Sequence, residues 1–253
     1  MPPVSMPFDS PFRAKDEKGS YQVSHLLNWT KTKLVAFALR LAPSIEPSRR
    51  ARDWVRAGCA MPAPWAIKMQ VLDRYKIPGA GWIETGTYTG ETTTFLAKMS
   101  PSVVSLEPES TLYTNAIQKF SQSKNVKILN KTSEDGLAEA FDFLQTSRVC
   151  FWLDGHYSGE YTFDGGSDTP ILYEIGLISD KMKDGSIVEV AVFIDDARLF
   201  ASRHHEVPDA PDRAGYPPLG VIVDWAEEMG LDWCVEHDIF VARSPRHGRG
   251  VSL

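Results

Sequence analysis

The sequence predicts a doubly wound α/β fold with a mostly parallel sheet of seven strands. Beyond residue 79, short apolar runs alternate with stretches of helical periodicity, a pattern typical of a parallel sheet with helices on both faces. Near the C-terminus, the apolar runs 233–235 and 239–242 are separated by only three residues. So tight a connection can join only antiparallel strands. We therefore expect a parallel sheet that ends in one antiparallel hairpin strand.

The composition is typical of a soluble globular protein, with 253 residues of which 43% are hydrophobic and 24% are charged. A chain of this length can form one large α/β domain with an appendage. The formal net charge is −6, which argues against a nucleic-acid partner because phosphate binding usually requires a basic face. A small molecule is the expected ligand.

The N-terminal part, residues 1–78, is predicted to be a helical extension of the main domain, which spans residues 79–253. Apolar positions within 21–42 allow one or two amphipathic helices. Further helices are expected at 49–55 and 64–75, the second with proline at its start. We expect these helices to cap a binding site or to form the contact of a homodimer, since their basic positions are too sparse for a membrane-binding face.

The cysteine content and the first residues favour a reducing compartment. Cys59, Cys150 and Cys234 are odd in number and include no Cys-x-x-Cys pair, so they predict neither a disulfide framework nor a zinc site. The first residues lack the apolar region of a signal peptide. The longest apolar stretch, 34–42, is interrupted by Arg40 and is too short to cross a bilayer. We therefore expect a cytoplasmic protein without a transmembrane segment.

Five strand–helix pairs are predicted before the final hairpin. In chain order they are 82–83 and 92–99, 103–106 and 111–120, 126–129 and 134–144, 149–153 and 170–182, and 188–194 and 219–229. Parallel neighbours require crossover connections, which are right-handed in nearly all proteins. The pairs therefore predict helices on both faces of one sheet.

A glycine-containing turn connects the first predicted strand to its helix. Its residues are Glu84, Thr85, Gly86, Thr87, Tyr88, Thr89 and Gly90. Glycine lets the backbone approach a ligand closely, and a helix N-terminus offers unpaired N–H groups. A plain tight turn would show the same pattern. Glu84 adds an acid at the carboxyl edge of the sheet, where open α/β sheets bind their ligands.

The second and third strands end in further candidate ligand contacts. Glu107 follows the second strand, 23 positions after Glu84, close to the separation of roughly 20 expected between a glycine turn and a ribose-binding carboxylate. It could also be a solvated surface acid. Ser133 follows the third strand, where it could be the N-cap of the next helix or lie beside an adenine ring.

Together, the Glu-Thr-Gly-x-x-x-Gly turn, the second acid and the final hairpin resemble the class I S-adenosylmethionine-dependent methyltransferases over roughly residues 82–243. The resemblance implies that Glu84 lies near the methionine portion of the cofactor and that Glu107 holds its ribose. The usual third glycine of the turn is replaced by Thr87 or Tyr88. A nicotinamide dinucleotide fold is the alternative, but its Gly-x-Gly-x-x-Gly spacing is absent. Cofactor contacts are expected from Glu84, Thr85, Gly86, Thr87, Tyr88, Gly90, Thr92, Glu107, Ser133, Glu134 and Asp154.

Three further acids follow the fourth and fifth strands. Asp154 ends the fourth strand, and Asp195 and Asp196 end the fifth. Because these strands are neighbours in a doubly wound sheet, their carboxylates should converge beside the cofactor. Clustered carboxylates are costly unless a cation or cationic side chains neutralise them. A hard divalent ion with oxygen ligands, most naturally Mg²⁺, is the expected solution.

The Asp-Gly-x-Tyr sequence after the fourth strand and the Asp-Asp pair after the fifth are similar to the macrocin-type O-methyltransferases. These metal-dependent enzymes methylate hydroxyl groups of sugars and natural products. The resemblance implies that Asp154, Asp195 and Asp196 ligate the metal. The family usually has a second Asp as general base where this sequence has His156. We therefore expect His156 and Asp154 to be catalytic, since an imidazole can accept the proton of a hydroxyl at neutral pH.

The sequence thus predicts an S-adenosylmethionine-dependent methyltransferase that uses Mg²⁺ to methylate a hydroxyl of a sugar or small metabolite. Two alternatives stay open. One is a metal-independent small-molecule methyltransferase with His156 as its only base. The other is a non-catalytic scaffold that binds a partner through its N-terminal helices. The long loop 158–168 is expected to be a lid or a substrate wall. The long polar segment 202–216 is expected to be a surface loop, although His204 and His205 could contact substrate or metal.

Overall fold

The computed structural model describes residues 49–59, 61–155, 169–200 and 216–245. The strands are β1 (Gly81–Thr85), β2 (Val103–Leu106), β3 (Val126–Leu129), β4 (Arg148–Leu153), β5 (Glu189–Ile194), β6 (Asp232–Glu236) and β7 (Ile239–Arg243). The helices are α1 (Arg49–Arg56), α2 (Trp65–Tyr75), α3 (Glu91–Met99), α4 (Ser110–Phe120), α5 (Ser133–Leu144), α6 (Ile171–Lys183) and α7 (Leu219–Glu228), with a 3₁₀ turn at Ala197–Phe200. The helices expected within 21–42 lie outside the described residues.

The seven strands form one sheet in the order β3-β2-β1-β4-β5-β7-β6. Strands β1 to β5 are parallel, and β7 runs antiparallel to both β5 and β6. The doubly wound fold and its C-terminal antiparallel hairpin are therefore confirmed. This arrangement is a Rossmann-like fold. The strand order reverses between β1 and β4, and in open α/β sheets ligands bind outside the carboxyl ends of the strands at such a switch point.

Both faces of the sheet are covered, so the central strands are buried except at the first residues of β4 and β5. Alternate residues enter two different cores: Ile83 packs with α5, α6 and α7 on one face, whereas Trp82 faces the other. There, Trp82 stacks on Phe193 of β5 with 5.5 Å between ring centroids. Helix α2 shares this second core through Met69 and Leu72. The N-terminal extension is thus packed onto the sheet at this helix.

None of the described helices combines the length and the apolar character that a membrane span requires.

Candidate active site

Four acids lie at the carboxyl edge of neighbouring strands. Glu84 is within β1, and Glu107, Asp154 and Asp195 directly follow β2, β4 and β5. All but Asp154 are almost fully buried. These four side chains therefore lie at the edge of the sheet that is predicted to carry the site. They flank the switch point on both sides.

The glycine turn lies directly against the end of β4. Gly86 has a φ of 88°, and a Cβ atom there would lie 2.7 Å from the carbonyl oxygen of Asp154. Its N–H and that of Thr87 both donate to the carbonyl oxygen of Leu106, each at 3.1 Å. Gly90, with a φ of 70°, is the N-cap of α3. Only glycine fits the Gly86 position, because a side chain would meet both strain and backbone.

The other residues of the turn differ in exposure. Thr85 and Thr87 are buried, and the Thr87 hydroxyl is 2.6 Å from that of Ser105. Tyr88 has a φ of 48° and is 56% exposed. Thr92 is half-buried in the first turn of α3. Among the predicted cofactor contacts, Thr85 and Thr87 are therefore packed inside the protein, whereas Tyr88 is exposed to solvent.

Glu107 is fixed by backbone N–H groups on both sides of its carboxylate. The N–H of Tyr88 donates to Oε2 at 2.7 Å, and the N–H of Glu109 donates to Oε1 at 3.0 Å. Burial raises the pKa of Glu107, while these hydrogen bonds oppose the rise. The side chain thus links the end of β2 to the glycine turn, and each oxygen keeps a lone pair for a further donor.

Glu84 is completely buried beneath the turn. The hydroxyls of Thr93 and Ser105 donate to its Oε2 at 2.5 and 2.6 Å. Its Oε1 has no hydrogen-bond partner among the described residues. Burial raises the pKa of Glu84 to about 8, with further contributions from Asp154 and Glu107 and opposition from the two hydroxyls. A buried polar atom without a partner marks a place where a ligand group would complete the site.

The raised pKa of Glu84 predicts a pH dependence of stability. The folded state holds this proton up to about pH 8, whereas the unfolded chain releases it near 4.5. Between these values the folded state binds more protons, so the free energy of unfolding should fall with rising pH by up to ~1.4 kcal/mol per unit. Urea unfolding at a series of pH values should show this slope, and Glu84→Gln should reduce it.

The matched control for that experiment is Glu109→Gln. Glu109 is a half-buried acid whose pKa is lowered by hydrogen bonds from the backbone of Thr111 and Leu112, so its replacement should leave the slope above about pH 6 unchanged. An unaltered slope in Glu84→Gln would show that Glu84 is ionised in the folded protein.

Ser133 lies inside the site, but the N-cap of α5 is Thr132 and not Ser133. The hydroxyl of Thr132 accepts from the N–H of Asp135 at 3.3 Å. Ser133 instead donates to Oε1 of Glu174 at 2.7 Å. Glu134 is exposed in the first turn of α5, and its carbonyl oxygen accepts from the hydroxyl of Tyr173. The expectation of Ser133 as a helix cap is therefore wrong, because the cap falls one residue earlier.

Glu174 is a site residue that the sequence analysis did not identify. It is 1% exposed, and burial raises its pKa to about 7. With Asp154, Thr169, Asp195, Phe200 and Tyr216 it lines a small pocket beside the ends of β4 and β5. Its position could have been found from the periodicity of α6, since it shares a helix face with the buried Ile171 and Ile178. An acid on a core-facing stripe is unusual unless it has partners.

Lys68 of α2 reaches the acids that follow β5. Its ammonium group donates to Oδ2 of Asp195 and lies 3.6 Å from Oδ1 of Asp196. Burial lowers the pKa of Lys68, but the negative charges of Asp195, Asp196 and Asp154 outweigh burial and the pKa is raised overall. Burial and the charge of Asp154 raise the pKa of Asp195 against the opposing effect of Lys68. The ammonium group therefore neutralises part of the acid cluster.

Asp196 is held by a second cation. Nη1 of Arg198 donates to its Oδ1 at 2.7 Å and also to Oδ2 of the buried Asp238 in the β6–β7 turn. The N–H of Asp196 in turn donates to Oδ1 of Asp195 at 2.8 Å. Asp196 adopts a φ of 53°, which directs the chain into the 3₁₀ turn. Most carboxylate oxygens of this pair are thus already engaged.

These contacts do not fit a divalent ion held by Asp154, Asp195 and Asp196. Mg²⁺ requires near-octahedral oxygen ligands at short range, whereas the carboxylates of Asp195 and Asp196 already accept hydrogen bonds from Lys68 and Arg198. In the described part of the chain, no group of three or more His, Cys, Asp or Glu side chains is arranged to hold a metal. The structure therefore does not support the predicted magnesium site. The predicted base, His156, lies outside the described residues, as do 158–168 and 201–215.

No protein-family model and no curated protein matches the chain. Among solved structures, the rRNA methylase of Streptococcus thermophilus is 14% identical, with 73% of this chain and 96% of that chain covered at a TM-score of 0.40. The magnesium protoporphyrin IX methyltransferase of Synechocystis is 12% identical, with 86% and 94% covered at 0.41. Fibrillarin of Aeropyrum pernix is 8% identical, with 70% and 73% covered at 0.42. At these TM-scores the likenesses do not identify the activity of this chain.

Proposed function

We propose that the chain is an S-adenosylmethionine-dependent methyltransferase that acts on a hydroxyl group of a small molecule. The observation that carries the proposal is the link between Glu107 and the glycine turn. The carboxylate after β2 is locked by the N–H of Tyr88, so the acid and the turn form one rigid unit at the switch point of the sheet.

The residues present fit a bound S-adenosylmethionine. Gly86 leaves no room for a side chain, the carboxylate of Glu107 has lone pairs for two ribose hydroxyls, and Oε1 of Glu84 lacks a partner among the described residues. When bound, the cofactor supplies an electrophilic methyl group on a positively charged sulfur. Carboxylates that are ionised at this edge of the sheet favour such a cation, because they lower the cost of removing it from water.

The pocket lined by Asp154 and Asp195 is the proposed acceptor site. Its carboxylates can orient a hydroxyl group by accepting its hydrogen bond, and we assign to Asp154 and His156 the removal of that proton. The formal net charge of −6 disfavours a polyanionic acceptor. An RNA acceptor, of the kind that the name of the Streptococcus thermophilus methylase states for that protein, is therefore not expected here. The contacts of Lys68 favour the metal-independent form of the reaction over the magnesium-assisted form.

Calorimetric titration with S-adenosylhomocysteine in the presence of EDTA tests the cofactor. We expect binding in the micromolar range, because the Glu107 carboxylate and the turn are already in place. Titration with NAD⁺ is the matched comparison, since the turn lacks the glycine spacing that pyrophosphate requires. Binding of NAD⁺ without binding of S-adenosylhomocysteine would overturn the proposal.

A further inference from the structure

Lys68 brings a positive charge to the point where three acids meet. Its ammonium group is bonded to Asp195, lies 3.6 Å from Asp196 and is close enough to Asp154 for their charges to interact. The side chain is only 14% exposed. An ion pair at this depth is less screened by solvent than one at the surface, so the neutralisation is effective.

The fold holds Lys68 in place through neighbouring residues of α2. Met69 and Leu72 of the same helix are buried in the core against the sheet. At the end of the helix, the hydroxyl of Tyr75 donates to Oε2 of Glu236 at 2.6 Å, and Arg74 pairs with the same carboxylate. The ammonium group is therefore positioned by a docked helix before any ligand binds, which lowers the entropic cost of using it.

The ammonium group also has an N–H donor that its contacts with described residues do not use. Lysine carries three N–H donors, and the contacts of Lys68 to described residues are the hydrogen bond to Asp195 and the ion pair with Asp196. An N–H of Lys68 is thus available for a ligand oxygen atom that reaches Asp195, which lines the pocket.

We propose that Lys68 takes the place of a divalent cation in this site: it neutralises the acids that follow β4 and β5 and donates to an oxygen atom of the acceptor. The identity of the acceptor rests on the proposed function, whereas the neutralisation is a property of the folded chain alone. Lys68 thus binds the acceptor directly and makes the site independent of metal.

Thermal unfolding in EDTA and in MgCl₂ or MnCl₂ tests this inference on the wild type, Lys68→Met and Lys68→Arg. The wild type should unfold at the same temperature with and without the ions. Lys68→Met should unfold ~5–10 °C lower in EDTA, because its acids are left unpaired, and it should regain several degrees when Mg²⁺ or Mn²⁺ binds those acids. Lys68→Arg keeps the charge and should resemble the wild type in both media.

Lys76→Met is the matched control, because Lys76 forms a surface ion pair with Asp73 and its loss should create no response to the ions. A merely structural role for Lys68 would lower the unfolding temperature of Lys68→Met without making it sensitive to Mg²⁺ or Mn²⁺, and that result would overturn the inference. So would calorimetric binding of Mg²⁺ to the wild type, a measurement that decides the question even if Lys68→Met does not fold. Failure of the wild type to bind S-adenosylhomocysteine would instead overturn the proposed function and leave these ion responses unaffected.

Discussion

Replacing Glu107 with alanine is expected to weaken the binding of S-adenosylhomocysteine by about 100-fold or more. Two hydrogen bonds from ribose hydroxyls to a charged acceptor would be lost, each worth roughly 1.5–3 kcal/mol. The N–H of Tyr88 would also lose the acceptor that ties the glycine turn to β2. Calorimetric titration of the variant and the wild type measures both the affinity and the enthalpy of binding.

Two further variants separate the ribose contact from local damage. Glu107→Gln keeps one oxygen for the turn but lacks the charge, so its affinity should lie between those of Glu107→Ala and the wild type. Glu109→Ala removes the N-cap that accepts from the N–H of Leu112, which should cost about 1 kcal/mol of stability and leave the affinity unchanged. Wild-type affinity in Glu107→Ala would mean that the ribose is not bound at β2.

Substitution of Gly86 by alanine should abolish detectable cofactor binding and lower the free energy of unfolding by about 2–5 kcal/mol. The new Cβ atom would strain a backbone with a φ of 88° and would lie 2.7 Å from the carbonyl oxygen of Asp154. Relief of the clash must move either the turn or the end of β4, and both carry residues of the site. Urea unfolding and calorimetric titration measure the two losses.

Gly185→Ala provides the matched control for strain without a clash. Gly185 has a φ of 81°, and a Cβ atom there would meet nothing within 4 Å. We expect this variant to lose about 1 kcal/mol of stability and to bind S-adenosylhomocysteine normally, since it lies after α6 and away from the turn. Equal losses in the two alanine variants would show that the contact with Asp154 contributes nothing.

The fold could be predicted because its signals are local. The alternation of apolar runs with helical periodicity requires only neighbouring residues, and the three residues between the apolar runs 233–235 and 239–242 leave no choice but a hairpin. Strand ends were less certain: Val188, included in the fifth predicted strand, precedes β5 and is 73% exposed. An apolar residue at the end of a run looks the same in sequence whether it is paired or not.

The residues of the candidate site also differ in whether local sequence signals predict them. Residues at strand ends, such as Glu84, Glu107 and Asp195, could be assigned to one edge because parallel strands share a direction. Lys68 could not, since it is 127 positions from Asp195 and meets it only through the docking of α2. Without that ammonium group, a divalent ion was the simplest way to neutralise the acids. The sequence correctly indicated that the clustered acids require a neutralising cation. It did not indicate that Lys68 supplies the positive charge.

Strand β7 lies between β5 and β6, although it is the last strand of the chain. During synthesis on a ribosome, β5 therefore emerges with one edge open, and that edge is closed only after residue 243 has been made. An open edge presents unpaired backbone groups to other chains. The same event brings Asp238 to Arg198, and so completes the ion pairs around Asp196. We therefore expect nascent chains that stall before the hairpin to be prone to aggregation and to lack a finished acid cluster.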